Sequence, residues 1–293
     1  MSDVIAVQRA ALDSLYRRHL AMGSRYALLD LPDHANVGDS AIWLGELVML
    51  RRITGREPDY VCTWHDFDER ALRTACPDGI VFLHGGGNLG DIWSHHQQLR
   101  ETVLDRLRDR TVVQLPQSIH FRDSSAAARF AAVAGGHPQL TLYARDTDSL
   151  ALARHMVGSA AVLAPDSAFA LGRQARGEAD VPVLALMRTD KERVASAAAL
   201  PPGAISCDWL EDDDDIDGDH ATQAMARVAR GLRLLSRGQT IVTDRLHGHI
   251  LALLLDIPHV VRDNDYGKIG SYVATWTGDS PRLLAALPHS AAA

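Results

Sequence analysis

The stretch T-I-V-T-D-R-L-H-G-H, residues 240–249, joins a short apolar run to a cluster of charged and titratable side chains. The apolar run predicts a buried strand, and the apolar residues at 250–255 predict a helix. Asp244, Arg245 and His247 therefore stand where a strand passes into a helix. In open α/β sheets, ligands bind beyond the carboxyl ends of the strands, where a helix N-terminus offers unpaired N–H groups to an anion. The stretch thus predicts an α/β fold with an anion site at this sheet edge.

Strand and helix patterns alternate along the rest of the chain. Predicted helices lie at 4–20, 40–53, 191–200, 222–236 and 246–255, with a last helix or two after residue 261, and Ser40 is placed to cap the second of them. Predicted strands lie at 26–31, 60–63, 80–83, 111–115, 140–143, 161–163, 183–187, 204–207, 240–242 and 259–261. Such alternation favours parallel sheets with right-handed crossovers.

A polar, glycine-bearing segment without periodicity, G-R-Q-A-R-G-E-A-D at 172–180, is the predicted linker between two domains. It separates an N-terminal α/β domain, residues 1–171, from a C-terminal α/β domain, residues 181–293. Two such domains joined by one linker would form a cleft, which is a common place for a ligand.

The composition limits the classes of protein that this chain could be. With 46% apolar and 23% charged residues it is typical of a soluble globular protein, and its net charge of -7 argues against nucleic acid as a partner. Three widely spaced cysteines indicate reduced thiols in a cytoplasmic protein. We expect no targeting or membrane-spanning segment, although contact with a membrane surface stays open. The sequence has no H-x-x-x-H or paired-cysteine motif for a metal, so we expect neither metal nor cofactor.

A second informative stretch, H-G-G-G-N-L-G-D-I-W, occupies residues 84–93 and follows an apolar strand pattern. Its glycines bare the backbone, and successive N–H groups can form an anion-binding nest. A tight strand-to-helix turn is the alternative. The candidates for contact with a ligand are His84, Gly85, Gly86, Gly87, Asn88 and Asp91.

A third stretch, H-A-N-V-G-D-S at 34–40, permits a hydrolase interpretation when it is combined with the other two. Ser40, Gly87 with Asn88, and D-x-x-H at 244–247 follow the order of the GDSL hydrolase signatures. Ser40 would then be the nucleophile, His247 its base and Asp244 the orienting carboxylate. Ser40, however, follows its strand by eight intervening residues, which favours a helix-capping role.

A second interpretation accounts for more residues. The chain resembles the polysaccharide pyruvyl transferase family in its bacterial exopolysaccharide branch. The resemblance rests on five blocks in family order: D-H-A-N-V-G-D-S-A-I-W-L-G-E at 33–46, H-G-G-G-N-L-G-D-I-W at 84–93, A-R-D-T-D-S at 144–149, M-R-T-D-K-E at 187–192 and T-D-R-L-H-G-H at 243–249. The segments at 172–180 and 211–219 and the C-terminal tail carry none of it.

The resemblance implies an activity and a fold. Members of the family move the enolpyruvyl carbons of phosphoenolpyruvate onto a sugar as a cyclic ketal and release phosphate. The implied fold is two Rossmann-like halves similar to GT-B glycosyltransferases, and the implied acceptor is a lipid-linked repeat unit of an extracellular polysaccharide. Arg245 and His247 match the family's required R-L-H motif, and Arg145 lies in its R-D/E-x-x-S block.

The chemistry of phosphoenolpyruvate suits these residue types. Its carboxylate and phosphate call for at least two fixed cations, and Arg145, Arg188 and Arg245 each follow a predicted strand, where they could converge or merely pair with nearby aspartates. We expect His247 to protonate the methylene carbon, with Asp39 or Asp91 accepting a hydroxyl proton. Further residues predicted to contact substrate are His34, Asn36, Gly38 and His249.

Other polar and aromatic residues have simpler predicted roles. The acidic run at 211–219 begins like a calcium loop, but Ala224 stands where a glutamate is required, so a solvated loop is favoured. His95 and His96 are predicted to face solvent at a helix start. Trp93 and Trp209 could stack on a sugar, whereas core packing is predicted for Trp43.

Overall fold

The computed structural model describes residues 3–190, 200–210, 216–263 and 267–287. The predicted helix at 191–200 lies almost entirely outside the described residues, as does the 211–215 part of the acidic run. The fold is α/β with two parallel sheets, as the sequence predicts. Within the described ranges, no helix is both long and apolar enough to cross a bilayer.

The contacts within the chain define two compact units. The N-terminal unit comprises Ala10–Asp33 and Gly45–Ala170, and the C-terminal unit comprises Met1–Arg9, His34–Leu44 and Leu171–Ala293. The H-A-N-V-G-D-S stretch, assigned by sequence to the N-terminal domain, therefore packs with the C-terminal unit.

The sheet of the N-terminal unit has seven parallel strands. They are β1 Tyr26–Leu29, β2 Tyr60–Cys62, β3 Ile80–Leu83, β4 Gly86–Gly90, β5 Val112–His120, β6 Leu140–Ala144 and β7 Ala161–Leu163. Their order is β2-β1-β3-β5-β6-β7, and β4 also pairs with β5. The accompanying helices, of which the first two include residues of both units, are α1 Val4–Arg17, α2 Val37–Thr54, α3 Glu69–Ala75, α4 Ser94–Arg106, α5 Ser124–Gly135 and α6 Thr147–Val157. Because every residue of β1 is buried, this sheet is covered on both faces.

Among the described residues, the sheet of the C-terminal unit has five parallel strands in the order β12-β11-β10-β8-β9. They are β8 Val181–Leu186, β9 Ile205–Cys207, β10 Gly238–Thr243, β11 His259–Arg262 and β12 Leu283–Leu287. The helices are α7 His220–Ser236, α8 Leu246–Leu254 and α9 Lys268–Tyr272, and a π-helical turn, Val273–Thr277, continues α9. When these strands are numbered one to five along the chain, their order across the sheet is 2-1-3-4-5. This is the flavodoxin-like arrangement of a Rossmann-like sheet.

Two strands, β4 and β12, are not predicted by the sequence pattern. Strand β4 has the sequence G-G-N-L-G, which lacks strand-forming side chains, and it exists because its backbone pairs with β5. A Cβ on Gly90 would lie 1.7 Å from the carbonyl oxygen of His120, so only glycine fits this close approach. The glycine run is therefore a short strand rather than a strand-to-helix turn. Strand β12, L-L-A-A-L, falls where a terminal helix was predicted, because leucine and alanine favour helices.

Helix α2 begins three residues earlier than predicted. Asn36 is the residue before it, and its side-chain oxygen accepts a hydrogen bond from the Gly38 N–H at 3.0 Å. Ser40 lies inside the first turn and is fully buried, so its predicted capping role is wrong.

Candidate functional site

The C-terminal sheet changes direction between β8 and β10, which are adjacent and parallel with Leu186 opposite Thr243. From β8 the chain moves outward to β9, and from β10 it moves outward on the other side to β11. The connections at such a switch point diverge and leave a crevice beyond the strand ends, where ligands bind. Arg188 follows β8, and Arg245 follows β10. The topology therefore brings these two arginines to one place.

Asp190 joins the two guanidinium groups. Arg188 donates to it in bidentate fashion, from Nε at 2.9 Å and from Nη2 at 3.0 Å. Arg245 Nη2 also donates to Asp190, at 3.3 Å. The side chains of Arg188 and Asp190 are 8% and 16% exposed, so their attraction is weakly screened by water. The structure thus brings two of the three predicted arginines together. The Asp190 carboxylate lies between them, where an anionic ligand could bind instead.

Asp208 and Trp209 fix the position of Arg245. Asp208 is buried and accepts a hydrogen bond from Arg245 Nη2 at 2.6 Å, and it also accepts from the N–H and hydroxyl groups of Thr189. The Arg245 Cζ atom lies 5.5 Å from the centroid of the Trp209 ring, which permits a cation–π interaction. Asp208 is not among the residues predicted for the site, although its position directly after strand β9 is the position where ligand-binding residues are expected.

Asp244 organises the loop after β8. It accepts a hydrogen bond from the Arg188 N–H at 2.8 Å, and burial raises its pKa against the opposing effect of that bond and of the nearby arginines. Ser40, the proposed nucleophile of the hydrolase interpretation, has a buried hydroxyl group with no hydrogen-bond partner among the described residues. Since a catalytic serine needs a base within hydrogen-bond reach, the serine esterase alternative is not supported.

The N-V-G-D turn packs against His247. A Cβ on Gly38 would lie 2.4 Å from His247 Nδ1, so the glycine allows the backbone of α2 to approach the imidazole. In the same turn Asn36 Nδ2 donates to Asp39 at 2.8 Å, and His34 Nε2 lies 3.6 Å from the Asp39 carboxylate. The structure therefore groups four predicted site residues of this turn with His247, in the C-terminal unit.

His249 lies in the core, not at the site. Helix α8 begins at Leu246, and a residue two positions after His247 is rotated by about 200° around the helix axis. His249 is fully buried, its Nδ1 lies 2.7 Å from His259 Nε2, and its Nε2 lies 2.8 Å from Thr277 Oγ1. Because His259 Nδ1 faces the Ile257 carbonyl, which can only accept, the neutral pair uses His259 Nδ1–H and His249 Nδ1–H as donors. Both His249 nitrogens serve this chain of bonds, so the predicted substrate contact of His249 is wrong.

This histidine pair makes stability depend on pH. Burial lowers the pKa of His249 well below its usual value and lowers that of His259 from 6.5 to about 4. The unfolded chain therefore binds more protons than the folded one between pH 6.5 and 4, so the free energy of unfolding falls as the pH falls through this window. For His259 the whole loss is about 3 kcal/mol, at about 1.4 kcal/mol per pKa unit, and about 2 kcal/mol of it falls between pH 7 and pH 5. Urea unfolding at pH 7 and pH 5 measures it.

A matched pair of variants isolates the contribution of His259. The His259→Asn variant should show a weaker fall in stability on acidification, because the amide does not titrate. His155→Asn, which changes an exposed histidine on α6, should leave the fall unchanged. An equal pH dependence in all three proteins would contradict the assignment.

In the N-terminal unit, Glu46 anchors the start of the glycine stretch. It lies 2.7 Å from His84 Nδ1 and accepts a hydrogen bond from the Gly85 N–H at 2.9 Å. Burial raises the pKa of Glu46, and the contact with His84 opposes this shift. The Gly85 N–H is thus engaged by a side chain of the protein rather than left for an anion, contrary to the nest interpretation at this position.

Asn88 belongs to a buried polar network around β5. Its side-chain oxygen accepts from Arg100 Nη2 and from Gln117 Nε2, both at 2.8 Å, and its N–H donates to Gln117 at 3.2 Å. Arg100 also donates to Gln114 at 2.6 Å, and burial lowers the pKa of Arg100 to about 10. This network fixes Asn88 at the sheet edge.

Arg145 and Asp91 have structural partners in the same unit. Arg145 is 1% exposed and pairs with Asp166 at 2.7 Å. The Ser118 hydroxyl accepts a hydrogen bond from Arg145 and donates one to Asp146. Asp91 accepts from the N–H groups of residues 122 and 123, at 2.8 and 2.6 Å. Although burial opposes it, these backbone bonds hold the pKa of Asp91 below its usual value. Asp91 is therefore a loop anchor and a weak proton acceptor.

The fold and the paired arginines define an α/β protein with a candidate anion site at a sheet switch point. The family model "Polysaccharide pyruvyl transferase" matches residues 36–266, and the chain belongs to this family. The family resemblance noted in the sequence is thereby confirmed, and the chain is a transferase.

Individual relatives agree with this assignment. Pyruvyl transferase 1 of Schizosaccharomyces pombe is 31% identical over 305 residues, which cover 94% of this chain and 75% of that protein. EpsO of Bacillus subtilis, whose name assigns pyruvyl transfer provisionally, is 27% identical over 292 residues, or 86% of this chain and 85% of that one. A solved structure from Klebsiella pneumoniae, of uncharacterised function, has a TM-score of 0.63 at 16% identity and covers 95% of this chain and 98% of its own. At that identity it supports the fold alone.

Proposed function

We propose that the protein transfers the enolpyruvyl carbons of phosphoenolpyruvate to a saccharide as a cyclic pyruvate ketal, with release of phosphate. The observation that carries the proposal is the meeting of Arg188 and Arg245 at the C-terminal switch point, in the unit that also holds His247. Membership of the family supports pyruvyl transfer to a polysaccharide, and the donor and the ketal product are our inference.

The donor suits this pair of guanidinium groups. Phosphoenolpyruvate carries a carboxylate and a phosphate on three carbons, and a guanidinium binds either group through two parallel hydrogen bonds. Asp208 is fully buried and holds Arg245 in place. Asp190 is 16% exposed and pairs with both Arg188 and Arg245. The donor would replace Asp190 on the guanidinium groups and leave Asp208 where it is.

The chemistry begins with a proton. His247 delivers a proton to the methylene carbon, and the C2–C3 double bond supplies the electrons of the new C–H bond. One sugar hydroxyl oxygen then bonds to C2, and its proton passes to a carboxylate, for which Asp39 beside Gly38 is the candidate. A second hydroxyl oxygen then bonds to C2 and gives its proton to the His247 imidazole, which restores the acid. The phosphate leaves with the electrons of the C2–O bond and takes up the proton held by the carboxylate. No redox step is needed.

The acceptor is the less defined partner. We infer a saccharide of an exopolysaccharide repeat unit, carried on a lipid and met by a cytoplasmic enzyme at the membrane surface. The family model names polysaccharide as the acceptor class. The lipid carrier and the location rest on the resemblance to the exopolysaccharide branch of the family.

Phosphate release tests the proposal. The purified protein is incubated with phosphoenolpyruvate and a panel of lipid-linked and aryl glycosides, and inorganic phosphate and ketal are measured. We expect release that requires a glycoside, is lost in His247→Ala, and persists in Ser40→Val, which fills a buried position outside the proposed machinery. Release without any glycoside, or unchanged release in His247→Ala, would refute the mechanism.

A further inference from the structure

The N-terminal sheet has a switch point of its own, and its residues are absent from the donor site described above. β1 is followed in the chain by β2 on one side and then by β3 on the other. Beyond the carboxyl ends of these strands lie Asp30 after β1 and Trp64 after β2, together with the first residues of α4. By the same topological rule, this edge is a second place for a ligand.

Asp30 and His96 form a buried carboxylate-imidazole pair at this edge. Asp30 is 2% exposed and lies 2.6 Å from His96 Nδ1, and Asn88 Nδ2 lies 3.5 Å from its other oxygen. Asp30 also has a φ of 70°, in the left-handed region that non-glycine residues rarely adopt. Strain of this kind concentrates at functional sites.

The pair leaves one imidazole nitrogen for a ligand. The Asp30 carboxylate lies against Nδ1 of His96, and the hydrogen bonds of the His96 imidazole among the described residues involve Nδ1 and leave Nε2 to a ligand. The carboxylate fixes the orientation of the ring, as it does for histidines that bind or activate a ligand. The prediction that His96 simply faces solvent is therefore wrong, because its side chain is 12% exposed and tied to a buried carboxylate.

An aromatic platform lies next to this pair. Trp64 is 43% exposed and stacks on His95, with ring centroids 4.7 Å apart and an interplanar angle of 25°. His65 contacts the edge of the same indole, with centroids 5.1 Å apart. Since His95 and His96 are consecutive in the first turn of α4, the platform and the carboxylate-imidazole pair lie at the same end of this helix. With 43% of its surface exposed, the indole is accessible to a flat, partly apolar ligand.

We propose that Trp64, His95 and the His96–Asp30 pair form a binding subsite for a neutral pyranose of the acceptor saccharide. The C–H face of a pyranose packs on an aromatic ring, and its hydroxyl groups both donate and accept hydrogen bonds. An imidazole nitrogen can bond a hydroxyl in either protonation state. The Asp30 carboxylate, 2.6 Å from His96 Nδ1, disfavours an anion beside this imidazole. As the acceptor subsite of a transferase, it rests on the proposed function.

Binding of simple glycosides, without any donor, tests the subsite. Methyl glycosides of galactose, glucose and mannose are titrated against the full chain by calorimetry and by saturation-transfer NMR. We expect at least one to bind with a millimolar Kd, a rise in Kd of at least ten-fold in Trp64→Ala, and about three-fold in Trp64→Phe, which keeps a ring. His96→Ala should raise the Kd by about five-fold.

Leu152→Ala is the matched control, because Leu152 is 42% exposed in the same unit and lies on α6. It should bind the glycosides as the wild type does. If no methyl glycoside binds the wild type, or if Trp64→Ala and His96→Ala bind as tightly as the wild type, the subsite is refuted.

The two proposals fail separately. Glycoside binding that depends on Trp64, in a protein that never releases phosphate from phosphoenolpyruvate, would keep the subsite and refute the transfer reaction. Conversely, turnover in which Trp64→Ala leaves the KM for the glycoside unchanged would keep the reaction and refute the subsite.

Discussion

The Arg245→Ala variant is expected to lose about 10²–10³-fold in kcat/KM for pyruvyl transfer. Arg245 is 2% exposed, held by Asp208 and packed on Trp209, so its guanidinium is fixed before the donor arrives. A preorganised donor group aimed at developing charge contributes about 3–4 kcal/mol, which corresponds to this range. Steady-state kinetics with phosphoenolpyruvate and a glycoside acceptor measure it, and a melting curve verifies folding.

Arg245→Lys refines the test, because it keeps the charge and removes the planar fork. We expect the kcat/KM of Arg245→Lys to lie between the values of the wild type and of Arg245→Ala. Arg282→Ala is the control: Arg282 lies in the same unit and forms an exposed bidentate pair with Asp256, away from the switch point. Full activity in Arg245→Ala would contradict the donor site.

A change at Asp190 should act in the opposite direction. Asp190 competes with the donor for Arg188 and Arg245, so Asp190→Asn should lower the Kd for inorganic phosphate and for phosphoenolpyruvate. The asparagine keeps the size of the side chain while it removes the negative charge. Weaker anion binding in this variant would show that Asp190 supports the two arginines rather than competes for them.

The Asp166→Ala variant is expected to lose about 3–5 kcal/mol of unfolding free energy, because it removes a carboxylate that pairs directly with the buried Arg145 guanidinium. The Arg145 and Asp166 side chains are 1% and 0% exposed and lie 2.7 Å apart. Asp166 also accepts a hydrogen bond from the Ala168 N–H at 2.9 Å. Urea unfolding at constant pH measures the loss.

The control for this prediction is an exposed ion pair in the same unit. Asp109 is 62% exposed and accepts from Arg73, and Asp109→Ala should change the unfolding midpoint little, because water screens such pairs. If Asp166→Ala were as mild as Asp109→Ala, the Arg145 pair would have no structural role, and Arg145 would become a stronger candidate for contact with substrate.

Much of the fold follows from local sequence patterns. The strand at Ile80–Leu83 and the helix at Leu246–Leu254 lie where apolar periodicity predicts them, because burial of a continuous apolar run decides both. Strand β4 could not be predicted, since its glycines form a strand only when β5 is beside them. The Ser40 cap failed for a local reason, since Asn36 competes for the same helix start.

The candidate site was predicted only in part. Charged residues directly after apolar strands identify Arg188 and Arg245, because parallel strands end at a common edge. Asp208, the buried counter-ion of Arg245, lies 37 positions from it in the chain, and no local pattern connects the two. Likewise, Asp30 and His96 are 66 positions apart in the chain. They meet only because β1 ends and α4 begins at the same edge of the sheet.

The amino-acid sequence by itself determined the α/β class, the family and the arginine-histidine motif, because these depend on residue order over short spans. Only the tertiary structure decided which charges are neutralised, which histidine is buried and which aromatic ring is exposed. Those properties depend on distance and on access to water, and both are set by the packing of segments that are remote in the chain.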